Sequence, residues 1–198
     1  LPPLPSSITS LTITSNKITH IEKSYTPQLK TIFMMKNKLN SLPDFEENQI
    51  TEYFIMKNCI TTLPVSSFSS LITRITATQN QINELPAGLF HNLPKLNYLN
   101  LTKNAIKKLP PEMKDSKLIC LTISENPIEE LSSDCLPDSI VSLYCSYTNI
   151  REIPDNVLYL PNLETLVSSG NSLTSLPNLS STNLKKLLMS RNNFTETP

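Results

Sequence analysis

Apolar residues recur along this chain at a spacing that belongs neither to one helix nor to one strand. Aligning ITSLTITSNKITHI, LKTIFMMKNKLNSL, ITEYFIMKNCITTL, ITRITATQNQINEL, LNYLNLTKNAIKKL, LICLTISENPIEEL, IVSLYCSYTNIREI, LETLVSSGNSLTSL and LKKLLMSRNNFTET gives one template. It reads apolar, two residues, apolar, one residue, apolar, two residues, Asn, one residue, apolar, and nine copies span almost the whole chain. The Asn column holds Asn16, Asn37, Asn58, Asn80, Asn104, Asn126, Asn171 and Asn192, with Thr148 in the seventh copy. Successive spacings are 21, 21, 22, 24, 22, 22, 23 and 21 residues. The alternating centre of each copy predicts a short strand, with one set of side chains turned inward and the other outward. An Asn at the following turn can satisfy backbone groups that the turn leaves unpaired, so stacked copies predict an internal ladder of Asn side chains. No copy can bury its apolar face alone, and the expected architecture is therefore a solenoid in which stability is summed over neighbouring copies.

With nine copies in phase, the chain resembles the leucine-rich-repeat family from about Ile8 to Pro198. The resemblance implies an α/β solenoid bent into a horseshoe or arc. Its concave side would be a parallel sheet and its convex side short helical, 3-10 or extended segments. The segment LPDSIVSLYCSYTNIREIP is similar to the short bacterial type, whereas LPAGLFHNLPKLNYLNLTKNAI is similar to the longer eukaryotic type, so both subfamilies stay open. Thr148 in the Asn column, and Ala77 and Ser168 in the third apolar column, predict loose packing or kinks near the fourth, seventh and eighth repeats. One domain of about nine repeats is expected over 1–198. Leu1-Pro2 and Thr197-Pro198 fall where a repeat's closing Leu-Pro would stand, and Cys-rich caps are absent, which predicts a segment of a longer polypeptide.

Two neighbouring copies break the rule that outward positions be polar. In TIFMMKN and EYFIMKN, Ile32, Met34, Tyr53 and Ile55 occupy inward positions, while Phe33, Met35, Phe54 and Met56 face the concave surface. Adjacent parallel strands lie about 4.8 Å apart, so these four side chains form one apolar patch. Two readings compete: the rings stack on each other to shield the sheet, or the patch binds a protein or peptide, with rigid rings and adaptable methionines as anchors. The second is preferred, because monomers rarely expose contiguous apolar area without use. Tyr144, Val167 and Leu188, with Tyr147 nearby, repeat the outward pattern near the other end, and Arg74 and Tyr98 lie between. Lys36, Lys57, Lys103, Glu125, Lys186 and Arg191 are read, with Arg74, as a solvated rim.

Composition then narrows the function classes. Seventeen basic and seventeen acidic residues cancel, leaving no global field to draw nucleic acid or an anionic membrane. No apolar run is long enough to span a bilayer, so neither nucleic acid nor membrane insertion is expected. With 2 glycines there is no phosphate-cradling loop, and His20 and His91, the two histidines, stand on different repeats. P-loop, HExxH and GxSxG patterns do not occur, and Glu46-Glu47 and Glu129-Glu130 are expected to be surface charge. Cys59, Cys120, Cys135 and Cys145 lack CxxC spacing, so no metal or other cofactor is expected. Free thiols favour the cytoplasm over a secreted or cell-surface location, against the glycosylation triplets at Asn100, Asn178 and Asn193. The expectation is a non-enzymatic recognition module and scaffold. Its alternatives are a regulatory or targeting arm of a signalling enzyme, such as a protein phosphatase, and a receptor ectodomain.

Overall fold

In the computed structural model, which describes residues 1–176 and 179–195, the alternating segments form one nine-stranded parallel sheet. Its strands are β1 (Ser10–Thr12), β3 (Thr31–Phe33), β5 (Glu52–Phe54), β6 (Arg74–Thr76), β7 (Tyr98–Asn100), β8 (Cys120–Thr122), β9 (Ser142–Tyr144), β10 (Thr165–Val167) and β11 (Lys186–Leu188). Each pairs with the next repeat's strand in unshifted register, as in Ile32 beside Tyr53 and Ile75 beside Leu99. The pairing runs without interruption through the fourth, seventh and eighth repeats, where the sequence predicts kinks. Ala77 and Ser168 are fully buried there, and Ser168 Oγ accepts from Asn171 Nδ2 at 2.8 Å, so a polar residue is accommodated without opening the core.

Inward residues of all repeats merge into one core that includes Ile32, Met34, Ile55, Leu99, Leu121, Leu143 and Leu166. Tyr53 occupies a column otherwise held by Leu or Ile. Its ring meets Phe68 edge-on at 5.1 Å and its hydroxyl donates to Ser67 O at 3.4 Å, which satisfies the one polar atom it brings inside.

The opposite side returns each chain segment to the sheet by varied routes. Short 3-10 turns cover Val65–Ser67 and Pro111–Asp115, and one-turn helices α1 (Leu89–Asn92) and α2 (Asp155–Leu158) cover two longer returns. Between the first repeats the return is extended. There β2 (Ser24–Tyr25) pairs in parallel with β4 (Phe45–Glu46), which makes a second, two-stranded sheet on the convex side. Phe45 points into the core from this sheet, and Asn48 closes the turn after it, donating to Phe45 O at 2.7 Å and accepting from Ile50 N at 3.0 Å. Thr197 and Pro198, where the sequence places a closing Leu-Pro equivalent, lie outside the described residues.

Candidate functional site: the concave sheet face

What holds the sheet face in place is the turn that follows every strand. Asn58 shows the pattern: its amide donates to Met34 O of the preceding repeat at 2.9 Å and to Ile55 O of its own at 3.1 Å, while its carbonyl accepts from Leu39 N at 3.1 Å. Asn37, Asn80, Asn104 and Asn126 make the equivalent set. Asn192 donates to Ser168 O and accepts from Leu173 N. Asn171 bonds Cys145 O but accepts from Thr148 rather than from the residue two beyond it. Asn16, in the first repeat, is exposed, and its side chain bonds only its own turn, through Ile13 O and Thr14 O. At Thr148 the ladder is bypassed: the Ile128 amide, which an Asn at 148 would receive, turns to Asn126 O at 2.9 Å.

A second column has no counterpart in the sequence reading. The residue before each ladder position is left-handed: Ser15, Lys36, Lys57, Gln79, Lys103, Glu125, Tyr147, Gly170 and Arg191 all have φ between 53° and 67°. Eight of these nine pass their backbone N–H to the next repeat, as in Lys36 N to Met56 O and Lys57 N to Thr78 O at 2.9 Å, so the ladder of backbone bonds offsets the left-handed strain. Nothing in the chemistry of Ser, Lys, Gln, Glu, Tyr and Arg marks such a conformation. Only Gly170 hints at it.

On the face itself, Phe33 and Phe54 stack at 5.0 Å with ring planes 13° apart. Each ring thus covers part of the other, and both are half-buried, as are Met35 and Met56 in the same two repeats. The four form a low apolar shelf rather than four exposed side chains. Next to it, Glu52, Arg74 and Tyr98 make a row across three strands. Arg74 Nε lies 3.7 Å from Glu52 Oε1, and the guanidinium sits 3.9 Å from the Tyr98 ring centroid. This contact uses the ring's negative face and holds Arg74 over the sheet. Asn100 Nδ2 donates to the Tyr98 hydroxyl at 3.5 Å and Asn100 Oδ1 accepts from Thr102 N at 3.0 Å, so the side chain of this glycosylation triplet is engaged on the sheet. Asn178 lies outside the described residues.

At the other end, Tyr144, Val167 and Leu188 stand side by side in register on β9, β10 and β11. Tyr147 is 51% exposed, yet its ring lies over Gly170: a Cβ at that glycine would come within 2.4 Å of the ring. Its hydroxyl accepts from Arg191 Nη1 at 3.0 Å, so Tyr147 reaches across two repeats. Gly170 is needed there both for its positive φ and for the room it leaves.

The four cysteines are free. Burial pushes the Cys145 thiol up to about 11, partly offset by a hydrogen bond with Ser168. Cys120, on the sheet face, is also raised by burial, against a hydrogen bond from Thr122 and the charge of Arg74. Neither is an activated nucleophile. Among the described residues no group of three or more His, Cys, Asp or Glu could hold a metal ion, and no helix is long and apolar enough to cross a membrane.

Comparison with known proteins fits this architecture. The family described as "Leucine rich repeat" matches residues 71–116. The chain is 31% identical over 113 residues, 56% of its length, to an adenylate cyclase of Podospora anserina, of which it covers 5%. It is 26% identical over 200 residues, 94% of its length, to mouse leucine-rich repeat serine/threonine-protein kinase 1, of which it covers 9%. The chain therefore spans less than a tenth of either relative. Among solved structures, a leucine-rich-repeat protein of Leptospira interrogans superposes with a TM-score of 0.82 at 21% identity, over 98% of this chain and 57% of that one.

Proposed function

Because the chain is built of leucine-rich repeats, we propose that it is a recognition module that holds a protein or peptide on its concave sheet face. The observation that carries this reading is the shelf formed by Phe33, Phe54, Met35 and Met56. Other repeats place Thr12, Thr76 and Thr122 where Phe33 and Phe54 stand, and Thr78, Thr102, Ser124 and Ser146 where Met35 and Met56 stand. The fold therefore does not require apolar side chains at these positions, and their presence serves something outside the chain. Each large apolar side chain covered by a partner contributes about 1.5 to 3 kcal/mol before association costs. Arg74 and Tyr98, held against each other, and the Tyr144, Val167, Leu188 and Tyr147 group supply further contact area for an elongated partner.

The test is a random peptide library panned against the wild-type chain, with bound clones then offered to a Phe33→Thr, Phe54→Thr double variant. Threonine already occupies this column in three repeats, so the fold is kept. Most clones should lose binding. Clones that bind both proteins equally would remove this reading.

We assign no catalytic step to these residues, a reading supported by the separation of His20 from His91 and by the raised thiols of Cys120 and Cys145. A second reading, a regulatory or targeting arm within a longer signalling enzyme, draws support from the short stretches matched in the cyclase and the kinase. The intact mass of the native polypeptide decides it, since a mass near 22.2 kDa would leave no enzyme for the repeats to serve. The free cysteines support a cytoplasmic location, which fractionation of native material checks.

A further inference from the structure

Charge on the rim beside the apolar shelf is unbalanced over three successive turns. The turn segments of the first three repeats, 14–20, 35–41 and 56–62, contain Lys17, Lys36, Lys38 and Lys57 and no Asp or Glu. All four lysines are exposed. At four other places a carboxylate of a neighbouring repeat answers a cation: Lys103 faces Glu125 at 4.0 Å, Arg74 faces Glu52 at 3.7 Å, Lys185 meets Glu164 at 2.6 Å and Lys23 meets Asp44 at 3.3 Å. Among the described residues none of the four turn lysines has such a partner.

Position makes this imbalance specific. Lys36 follows Met35 and Lys57 follows Met56, each in the left-handed conformation with its N–H bonded to the next repeat. Both stems therefore start from fixed points at the edge of the shelf, about 4.8 Å apart across neighbouring strands. A ligand seated on Phe33, Phe54, Met35 and Met56 meets two unanswered ammonium groups on its flank.

From this juxtaposition we infer that the first three repeats take an extended peptide segment in which large apolar side chains stand next to two or more carboxylates. The apolar side chains lie on the shelf and the carboxylates pair with Lys36 and Lys57, while Lys17 and Lys38 extend the attraction along the rim. The inference rests on the reading of the sheet face as a recognition surface and adds the chemistry of the ligand. Nucleic acid fits less well. Phe33 and Phe54 each give one face to the other, which halves the area left for base stacking, and a formal net charge of zero supplies no general field for a polyanion.

Exposed ion pairs contribute modestly to affinity and more to on-rate and to choice of partner. Clones recovered from the peptide library should therefore be enriched in Asp and Glu adjoining Phe, Leu, Ile or Met. Their binding should weaken on the order of tenfold in a Lys36→Glu, Lys57→Glu variant. That variant keeps its turn geometry, because Glu125 holds the same column at φ 54°. Added salt should weaken wild-type binding and leave the variant's residual binding unchanged or slightly stronger, because it screens the repulsion between the new carboxylates and those of the ligand.

Clones that depend on Phe33 and Phe54 but carry no acidic bias, and bind the lysine variant as well as wild type, would overturn the inference and leave the recognition surface standing. Clones indifferent to Phe33 and Phe54, or no enrichment at all, would overturn both. A labelled oligothymidylate retained at physiological salt and lost in the lysine variant would replace the peptide with a nucleic acid. Concentration-dependent self-association lost in the same variant would replace it with a second copy of the chain.

Discussion

At the scale of single residues, the Asn ladder is where one side chain replaces several backbone partners at once. Asn58→Ala removes the acceptor of Leu39 N and the shorter of the two amide bonds to Met34 O. A buried group left without a partner costs about 1 to 3 kcal/mol, so this variant should lose about 2 to 3 kcal/mol in urea unfolding. Asn16→Ala removes only exposed bonds within its own turn and should cost less than about 1 kcal/mol in the same measurement. Titration adds a residue-scale effect. Cys145 ionises near 9 when unfolded and near 11 when folded. The unfolded chain therefore releases this proton first, and stability falls as pH rises from 9 toward 11, by about 1.4 kcal/mol per unit at most. Cys145→Ala, which has its own cavity cost at all pH values, should flatten that part of the slope; urea midpoints measured from pH 8 to 11 check it. The Asn column was legible in the sequence because an amide side chain is what such a turn needs. The left-handed column before it was not, because the backbone there is held by bonds to the neighbouring repeat, and any side chain can ride on it.

Elements divide in the same way. The nine strands and their inward and outward faces follow from strict alternation, and the stacked rings lie where that alternation puts them. The second sheet does not follow. Ser24–Tyr25 and Phe45–Glu46 are two-residue strands with no period to detect, paired because the first returns run extended beside each other. Likewise, the contact of Tyr147 with Gly170 and Arg191 spans two repeats and belongs to no single copy of the template. Phe45 ties β4 to the core at 2% exposure, and Phe45→Ala should cost about 3 to 5 kcal/mol. Since each repeat contacts only its neighbours, the loss should appear first as faster amide hydrogen exchange in residues 8–50, with residues 96–150 protected nearly as in wild type. Uniform acceleration along the chain would show instead that the repeats melt as one unit.

For the whole molecule, the ladder has a direction. The bonds that cross between repeats run from each Asn side chain back to the repeat before it: Asn58 serves Met34 and Leu39, Asn80 serves Ile55 and Ile60, and Asn104 serves Ala77 and Ile82. A ribosome releases the chain in that same direction. Each new turn then emerges with an amide that only the following repeat's Asn bonds, and with a carbonyl that its own Asn already bonds and the following Asn bonds again; that second Asn comes about 20 residues later, which at roughly 5 to 20 residues per second is a wait of about 1 to 4 s. During synthesis the youngest repeat is always the unfinished one, and a stall in translation would leave a single exposed turn at the growing end while the repeats behind it stay closed.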